Sequence, residues 1–406
     1  MSKAILTGKG RRWVERGHPW VYSDDIAAAE GTPGELVPVS DPNENPLGWA
    51  LFSNSSRIAL RFVTRLPEQP TRAFWKGRLQ RALRLRERAG LLAPAGACRL
   101  VHGDSDGLPG WVVDRYADVL VMQCSTQGAD RMRDFLLELL TEVLVEHDEA
   151  LRPSSVLDRS DVSIRRLEDL PERVEWLTGE PRGEVLVREP DPDGGPELAY
   201  EVDVLEGHKT GHYLDQSVNR RLAARQLEGA RVLDAFSYDG LFGVRAALAG
   251  ASEVLCLDQS AGAGERVLRN AERNGVAERV GFERANAMKD LKRREYAKES
   301  WDVVIVDPPA FARNKREAEG AARGYRELNR RAAALVAPGG RLVSASCSFN
   351  VSQADFLKYL GQACLDARRG AWISEVRGAA QDHPVHVHLP ESGYLKCAFL
   401  EMDGLA

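Results

Sequence analysis

Apolar residues follow two different periods in the C-terminal half of the chain. From residue 231 onward, short apolar runs are separated by longer stretches in which apolar residues recur at helical spacing. Strands that alternate with helical segments predict a parallel sheet with helices on both of its faces. The predicted strands are 231–235, 253–258, 280–285, 301–306 and 341–346, and the predicted helices are 241–249, 261–274, 315–336 and 352–368.

The N-terminal part has short segments with strand-like alternation instead. The candidate strands at 36–39, 48–52 and 58–63 are separated by turns rich in Pro and Gly. In the last strand, apolar residues alternate with Arg57, Ala59 and Arg61, which is the pattern of a strand with one buried face. Residues 1–70 are therefore predicted to form a small β-barrel of mixed strands.

The middle of the chain combines helical and strand-like patterns. Residues 71–90 and 129–145 have helical patterns, the first with Leu79, Leu83 and Leu85 on one stripe. Two strands joined by a Gly/Asp/Pro turn are predicted within 99–116, and further strands at 119–124, 155–157, 174–177 and 185–187. A chain of 406 residues is too long for one core. The turn cluster at 191–196 favours a division into domains 1–70, 71–192 and 193–406.

Composition places the chain among ordinary soluble globular proteins. Hydrophobic residues make up 43% and charged residues 28% of the sequence. Apolar runs are far shorter than the roughly 20 residues of a membrane span, and the first residues lack the apolar core of a secretory signal. The six cysteines form no Cys-x-x-Cys pair, which argues against zinc and against a disulfide framework. We expect a protein of a reducing compartment, the cytoplasm.

Positive charge is concentrated near the N-terminus. Residues 1–100 contain 16 Lys and Arg against 9 Asp and Glu, so the remainder of this chain of net charge −5 is acidic. Lys9, Arg11 and Arg12 are interleaved with Trp13, and Trp20 follows. Cations mixed with aromatic rings suit RNA, whose phosphates take the charge and whose unstacked bases take the rings. The alternative is that the rings fill a small core.

A glycine-bearing turn at 232–243 connects a short buried strand to a helix. This arrangement opens many α/β nucleotide sites, although glycine also occurs there as ordinary turn chemistry. Polar residues lie at or just after the ends of this strand and of the other predicted strands. They are Asp234, Asp258, Asn286, Asp307 and Ser346-Cys347-Ser348. Any one of them could be a helix cap. Together they line one crevice, where open α/β sheets bind ligands.

These motifs resemble those of class I S-adenosylmethionine-dependent methyltransferases. The resemblance is closer to the bacterial 23S rRNA cytosine-C5 methyltransferase family, which has a PUA-like domain, a central α+β domain and a Rossmann-like C-terminal domain. It covers essentially the whole chain. The matching motifs are Gly-His-Pro-Trp-Val-Tyr at 17–22, Asp-Gly-Leu-Pro-Gly at 106–110, residues 208–216 and 234–240, Asp-Pro-Pro-Ala-Phe at 307–311, residues 323–329, Ser-Cys-Ser at 346–348 and Asp-His-Pro at 382–384.

The resemblance implies an S-adenosylmethionine site, a catalytic pair and an RNA-contacting set. The implied cofactor residues are Tyr213, Asp215, Gln216, Asp234, Phe236, Ser237, Tyr238, Gly240, Asp258, Asn286, Ala287 and Asp307. The expected RNA contacts are Lys9, Arg11, Arg12, Trp20, Pro308, Pro309, Phe311, Tyr325 and His383. Asn286 departs from the family, where an acid is more usual, but its carbonyl oxygen can still pair with the adenine amino group. The implied partner is 23S rRNA or the assembling large subunit, and the sequence leaves open whether the chain forms a homodimer.

Methylation at cytosine C5 needs covalent help because C5 is a poor nucleophile. A thiolate that adds to C6 makes C5 enamine-like, and an acid near N3 stabilises the ring. Cys347 is the cysteine placed beside the crevice, and Asp307 is its natural partner. Cys256 lies between Leu255 and Leu257 on a predicted strand and is expected in the core, while the other four cysteines have no motif around them.

Two other functions stay open on the sequence alone. An Asp-Pro-Pro turn followed by an aromatic residue also serves methylation of an exocyclic amine or a guanine ring nitrogen of rRNA, for which no cysteine is needed. A non-catalytic RNA-binding factor in ribosome assembly would use the same N-terminal features. His386 and His388 could share one strand face as metal ligands, but no further ligand has suitable spacing, so no metal is expected.

Overall fold

The computed structural model describes residues 2–311 and 318–404. Its strands are β1 Lys3–Leu6, β2 Trp20–Tyr22, β3 Ile26–Glu30, β4 Leu36–Ser40, β5 Pro46–Phe52, β6 Ile58–Thr64, β7 Ala97–His102, β8 Trp111–Tyr116, β9 Val119–Cys124, β10 Ser155–Ser160, β11 Arg173–Thr178, β12 Glu184–Glu189, β13 Leu198–Asp203, β14 Arg231–Ala235, β15 Glu253–Asp258, β16 Val280–Arg284, β17 Trp301–Val306, β18 Val336–Ser346, β19 Arg369–Arg377 and β20 Lys396–Gly404. The helices are α1 Gly8–Glu15, α2 Arg72–Arg88, α3 Gln127–Arg131, α4 Arg133–His147, α5 Ser217–Ala223, α6 Leu241–Leu248, α7 Ala261–Arg273, α8 Ala287–Tyr296, α9 Ala318–Leu335 and α10 Gln353–Asp366.

Contacts divide the chain into two compact units. The first unit contains residues 1–187, 202–214 and 381–392, and the second contains residues 188–201, 215–380 and 393–406. The chain thus returns twice to the first unit from the second. The predicted division into three domains at residues 70 and 192 stays a prediction.

The first unit begins with a six-stranded sheet of order β2-β6-β5-β4-β1-β3. Only the β1–β4 pair is parallel among its described pairings. The strands predicted in this region are confirmed. Strand β6, however, is buried on both faces, because Ala59 and Arg61 are only 6% and 7% exposed. The Arg61 guanidinium can lie inside because it forms a 3.0 Å ion pair with the buried carboxylate of Glu168.

Helix α1 was not predicted in this β-rich region. Its sequence, Gly-Lys-Gly-Arg-Arg-Trp-Val-Glu, has too few apolar residues to show a helical period. Thr7 provides the missing signal, since its hydroxyl accepts a hydrogen bond from the Gly10 amide at 3.1 Å and caps the helix. The cations of this segment therefore project from a helix.

A five-stranded sheet of order β11-β10-β9-β8-β7 completes the first unit, with α2 and α4 packed together beside it. On α2, Leu79 and Leu83 are buried as predicted, but Leu85 is 38% exposed. Arg86 occupies the buried face instead, and its guanidinium donates to both carboxylate oxygens of Asp106 at 2.9 and 2.8 Å. The predicted helix at 129–145 is divided at Met132 into α3 and α4.

The second unit contains a seven-stranded sheet of order β16-β15-β14-β17-β18-β20-β19. The five predicted strands are confirmed and pair in parallel. Two further strands, β20 and β19, were not predicted; β20 runs antiparallel to both β18 and β19, so the complete sheet is mixed. The four consecutive residues 303–306 of β17 are buried, as expected for a strand covered on both faces.

Helices of the second unit form two groups around this sheet. Helix α6 contacts α5, α7 and β15, whereas α9 contacts α8, α10 and β17. The core of the second group includes Leu233, Val304, Leu342, Leu328 and Phe356. Within the described ranges, no helix is long and apolar enough to cross a membrane.

Candidate active site at the carboxyl ends of the central strands

The strand order of the second unit reverses between β14 and β17. The chain continues from β14 to β15 on one side, while β17 and β18 lie on the other. Loops that leave adjacent strands in opposite directions open a crevice at the carboxyl ends of the strands, where ligands bind in this architecture. Asp234, Asp258, Asp307 and Cys347 lie at or just beyond these strand ends, as the sequence predicts.

The loop after β14 has an unusual backbone. Phe236, Tyr238 and Gly240 have φ values of 65°, 54° and 76°. For a residue with a Cβ this left-handed conformation costs roughly 1–2 kcal/mol, and such strain concentrates at functional sites. At Gly240 an added Cβ would lie 2.7 Å from Val267 Cγ2, so the close approach of helix α7 requires glycine there.

Asp258 holds this loop in place. Its Oδ2 accepts a hydrogen bond from the Tyr238 amide at 3.1 Å and its Oδ1 accepts one from the Ser260 amide at 2.9 Å. The carboxylate is half-buried at the end of β15. Each carboxylate oxygen keeps a further lone pair, so the group can still accept the two hydroxyls of a ribose.

Asn286 and Ala287 have structural roles at the start of α8. The Asn286 side-chain oxygen accepts from the Lys289 amide at 3.1 Å and caps the helix, and Ala287 packs in the hydrophobic core. Asn286 itself is exposed. The oxygen that would meet an adenine amino group is thus the one that caps the helix.

Asp234 gives the crevice its electrostatic character. Burial raises the pKa of Asp234 to about 8, and the negative charges of Asp307, Asp239 and Asp258 act in the same direction. The Gly243 amide opposes this shift through a 3.1 Å hydrogen bond to Oδ2. S-adenosylmethionine carries positive charge on its sulfonium and ammonium groups. A crevice with four neighbouring carboxylates therefore fits this cofactor.

The predicted cofactor residues of the segment 213–216 fall in both units. In the second unit, Gln216 Nε2 donates to Asp307 Oδ2 at 3.0 Å, and Asn219 Nδ2 donates to Gln216 Oε1 at 2.6 Å. Asp215 Oδ2 accepts from the Tyr394 hydroxyl at 2.5 Å. Tyr213 belongs to the first unit, where its hydroxyl lies 2.9 Å from His208 Nδ1.

All six cysteines lie in the described part of the chain, and among them Cys347 is the only partly exposed one, since the other five are buried. Its Sγ lies 4.0 Å from the carbonyl oxygen of Pro308, in the Asp-Pro-Pro turn after β17. Burial raises the pKa of Cys98 to about 12 and that of Cys364 to about 11, and it raises the pKa of Cys256 as well. Cys256 lies in the core as predicted. The contrast in burial distinguishes Cys347 as the accessible thiol.

Tyr325 supports the turn that contains Cys347. Its hydroxyl lies 2.7 Å from Ser346 Oγ and 2.8 Å from Ser348 Oγ. The Phe311 ring packs edge-on against it, with centroids 4.7 Å apart. Tyr325 has no exposed surface, so a contact with RNA would require it to leave this packing, and the expected contact stays a prediction.

Lys396 is a member of the site that no sequence motif predicts. It lies opposite Ser346 in the β18–β20 pairing and is only 4% exposed. Its Nζ donates to the carbonyl oxygens of Ser348 at 2.7 Å and Tyr394 at 2.8 Å. Burial lowers the pKa of Lys396 to about 8, and a negative charge on Cys347 acts in the opposite direction. The lysine belongs to a strand without a recognised motif.

The expected RNA contacts lie in very different surroundings. Lys9 and Arg11 are exposed but form ion pairs, Lys9 with Asp25 at 2.7 Å and Arg11 with Glu15 at 2.7 Å. Arg12 is exposed on the same helix. Pro308 is buried, Pro309 is exposed and Phe311 is half-buried.

Trp20 and His383 are engaged within the first unit. The indole Nε1 of Trp20 donates to Asp104 Oδ1 at 2.7 Å. His383 is 3% exposed, and its Nδ1 lies 2.7 Å from Asp382 Oδ1. Its expected contact with RNA stays a prediction. His386 and His388 lie around a turn rather than on one strand face. In the described part of the chain, no group of three potential metal ligands is present.

Comparisons with known proteins agree with this geometry. Residues 160–366 match the S-adenosylmethionine-dependent methyltransferase family, and residues 4–65 match a PUA-like domain. The chain is 39% identical to the ribosomal RNA large subunit methyltransferase I of Aeromonas hydrophila and to that of Shewanella amazonensis, and it is 37% identical to that of Erwinia tasmaniensis. Each comparison covers 98% of both chains.

Solved structures share the same fold at lower identity. The crystal structure of SMU.776, assigned as a methyltransferase and complexed with SAH, superposes with a TM-score of 0.82 at 20% identity over 99% of this chain and 100% of that one. A Streptococcus mutans protein assigned as a SAM-dependent methyltransferase gives a TM-score of 0.81 over 99% and 100% of the two chains, at 19% identity. With the full-length relatives, these findings show that the chain belongs to the large-subunit ribosomal RNA methyltransferase I family of S-adenosylmethionine-dependent enzymes.

Proposed function

We propose that this enzyme methylates C5 of a cytosine in large-subunit ribosomal RNA through a covalent adduct with Cys347. The observation that carries the proposal is the position of Cys347, the accessible thiol, beside the Asp-Pro-Pro turn. Its relatives are named for ribosomal RNA of the large subunit, which supports the substrate class. The cofactor, when bound, supplies an electrophilic methyl group.

Cys347 begins the proposed reaction as a thiolate. Its Sγ forms a bond to C6 of the cytosine, and the electrons of the C5–C6 double bond move to C5, which becomes nucleophilic. Asp307 holds a proton at N3 and so limits the charge that develops on the ring. C5 would take the methyl group from the sulfonium sulfur of the donor, which would keep the electron pair of the broken S–CH3 bond and become a neutral thioether. A base then removes the C5 proton, and the electron pair of that C–H bond re-forms the C5–C6 double bond and expels the Cys347 thiolate. In the net reaction one S–C and one C–H bond are replaced by one C–C bond, and one proton leaves.

Lys396 supplies the positive charge that this thiolate needs. A buried ammonium costs several kcal/mol unless an anion lies nearby, and the two described partners of Lys396 Nζ are neutral carbonyl oxygens. One of these carbonyls belongs to Ser348, directly after Cys347. Ionisation of Cys347 would provide the anion, and the lysine would in turn lower the free energy of the thiolate.

Substitution of Cys347 tests the covalent mechanism. Cys347→Ala is expected to abolish transfer of labelled methyl groups to ribosomal RNA, while cofactor binding measured by calorimetry is retained. Cys364→Ala, at a buried cysteine of α10, serves as the control and keeps activity. Full activity of Cys347→Ala, with a methylated purine found by mass spectrometry of the RNA, would overturn the cytosine-C5 assignment.

A further inference from the structure

A group of cations in the first unit is directed towards backbone carbonyls rather than carboxylates. Arg65 donates to the carbonyl oxygens of Val14 and His18, the latter at 3.4 Å. Arg78 donates to the carbonyl oxygen of Val63 at 2.6 Å, and its guanidinium lies 4.9 Å from the centre of the Phe74 ring. These bonds fix both arginines without neutralising their charge.

Arg81 adds a third cation to this group, and two neighbouring histidines complete the surface. Arg81 Nη2 donates to the carbonyl oxygen of Asp106 at 2.8 Å. The rings of His386 and His388 lie 5.9 Å apart, and the His388 ring packs so closely on Gly17 that an added Cβ would lie 2.7 Å from it. We call Arg65, Arg78, Arg81, His386 and His388 the cation cluster.

The cluster members are close enough to repel one another. Burial lowers the pKa of His386, and the charges of His388, Arg81, Arg65 and Arg78 lower it further. Burial together with the charge of Arg81 lowers the pKa of Arg78 to about 10. Like charges held together raise the free energy of the unit unless an anion joins them. Among residues 2–311 and 318–404, none of the three arginines forms an ion pair with a carboxylate.

The carboxylates around the cluster are already engaged elsewhere. Asp106 is paired with the buried Arg86 at 2.8 Å. Asp104 accepts from the Trp20 indole at 2.7 Å, and Glu391 lies 3.4 Å from His18 Nε2. The positive charge of the cluster therefore remains available to an external anion.

We propose that the cation cluster, rather than Lys9 and Arg11, is the main phosphate-binding surface for RNA in the first unit. This inference rests on the proposed function, because it takes RNA as the substrate. Lys9 and Arg11 are neutralised by Asp25 and Glu15, so a phosphate would have to displace a carboxylate there. The exposed side chains of Val385 and Val387, 60% and 83% accessible, lie beside the histidines and offer apolar surface to sugars or bases.

Binding of a fluorescein-labelled single-stranded RNA, followed by anisotropy, tests this assignment. The double variant Arg78→Gln/Arg81→Gln is expected to bind the RNA roughly tenfold more weakly at low salt. The slope of log K against log salt concentration should become shallower by about 1.4, because each lost phosphate contact with a single strand removes about 0.7. The matched control is Lys9→Gln/Arg11→Gln, which removes two paired cations and should change affinity less than about twofold.

Two further measurements keep the outcome unambiguous. Arg78 contacts Phe74 and the Val63 carbonyl, so thermal unfolding of the double variant and the wild type is compared to detect any loss of stability. A second variant, Arg81→Gln/His388→Gln, changes two exposed side chains and must show the same loss of RNA affinity. In methyl transfer, the cluster variants should raise KM for RNA and leave kcat unchanged. Unaltered RNA affinity in both cluster variants, or an equal loss in the control, would overturn the surface assignment. Failure of the proposed function would appear separately, as wild-type methyl transfer that does not depend on Cys347.

Discussion

Replacement of Lys396 by Met would remove a buried charge while keeping the length of the side chain. The pKa of Lys396 is lowered by burial from 10.5 to about 8. One pKa unit corresponds to about 1.4 kcal/mol, so the protonated side chain costs the folded protein up to ~3 kcal/mol. The lost hydrogen bonds to the Ser348 and Tyr394 carbonyls offset part of this gain, because each unsatisfied carbonyl costs roughly 1 kcal/mol or more.

The pH dependence isolates the charge from the hydrogen bonds. The folded pKa lies below the unfolded one, so the unfolded chain binds more protons between pH 8 and 10.5. The free energy of unfolding of the wild type should therefore rise across this window, while the penalty is fully present below pH 8. Lys396→Met should lack this rise. Urea unfolding at several pH values measures both curves, and Lys358→Met at an exposed site on α10 is the control.

The same variant tests the link to Cys347. The rate of iodoacetamide alkylation, followed against pH, reports the ionisation of this accessible thiol, with Cys347→Ala as the blank. Its midpoint should move to higher pH in Lys396→Met, and kcat should fall while cofactor affinity is unchanged. Parallel unfolding curves for wild type and variant would refute the buried charge. An unshifted alkylation midpoint would refute the role of Lys396 beside the thiolate.

Two further predictions concern the same crevice. The raised pKa of Asp234 keeps much of this carboxyl protonated below pH 8, so calorimetry should show affinity for the cationic cofactor rising with pH up to about 8 and then levelling. Asp234→Asn should flatten this profile. An unchanged profile in Asp234→Asn would contradict the role of Asp234 in cofactor binding. Tyr325→Phe removes the hydroxyl shared with Ser346 and Ser348. It should lower the free energy of unfolding by about 1 kcal/mol and lower kcat without weakening cofactor binding. A kcat equal to that of the wild type would show that the phenol does not position Cys347.

Much of the second unit could be predicted because its strands are apolar over consecutive residues. Strand β17 is a short Val and Ile run that ends at Asp307, so the strand, its end and the polar residue are all visible in the sequence. The same holds for Asp234 and Asp258. Residues at the ends of parallel strands meet at one edge of the sheet, which is why the crevice could be assembled from the sequence.

Other features depend on contacts that no local pattern reveals. Lys396 begins β20, which runs antiparallel between β18 and β19. Its side chain is significant only because β20 lies beside β18. Tyr325 has the appearance of a surface helix residue among arginines, yet it is fully buried against Ser346 and Ser348. Lys9 and Arg11 were predicted as RNA ligands from their charge, but their pairing with carboxylates becomes visible only in the fold.

Asp234 and Lys396 show opposite perturbations in one unit. Burial raises the pKa of the acid and lowers that of the base, and both are brought to about 8. The charged form of each group is therefore destabilised unless a partner of opposite charge lies nearby. In the proposed mechanism, a cationic cofactor would stabilise the Asp234 carboxylate, and the Cys347 thiolate would stabilise the Lys396 ammonium. Perturbed acids and bases that face different partners are typical of catalytic sites. This pair of shifts supports the proposal that the Asp234 side of the crevice binds the methyl donor and that the Lys396 side serves the nucleophile.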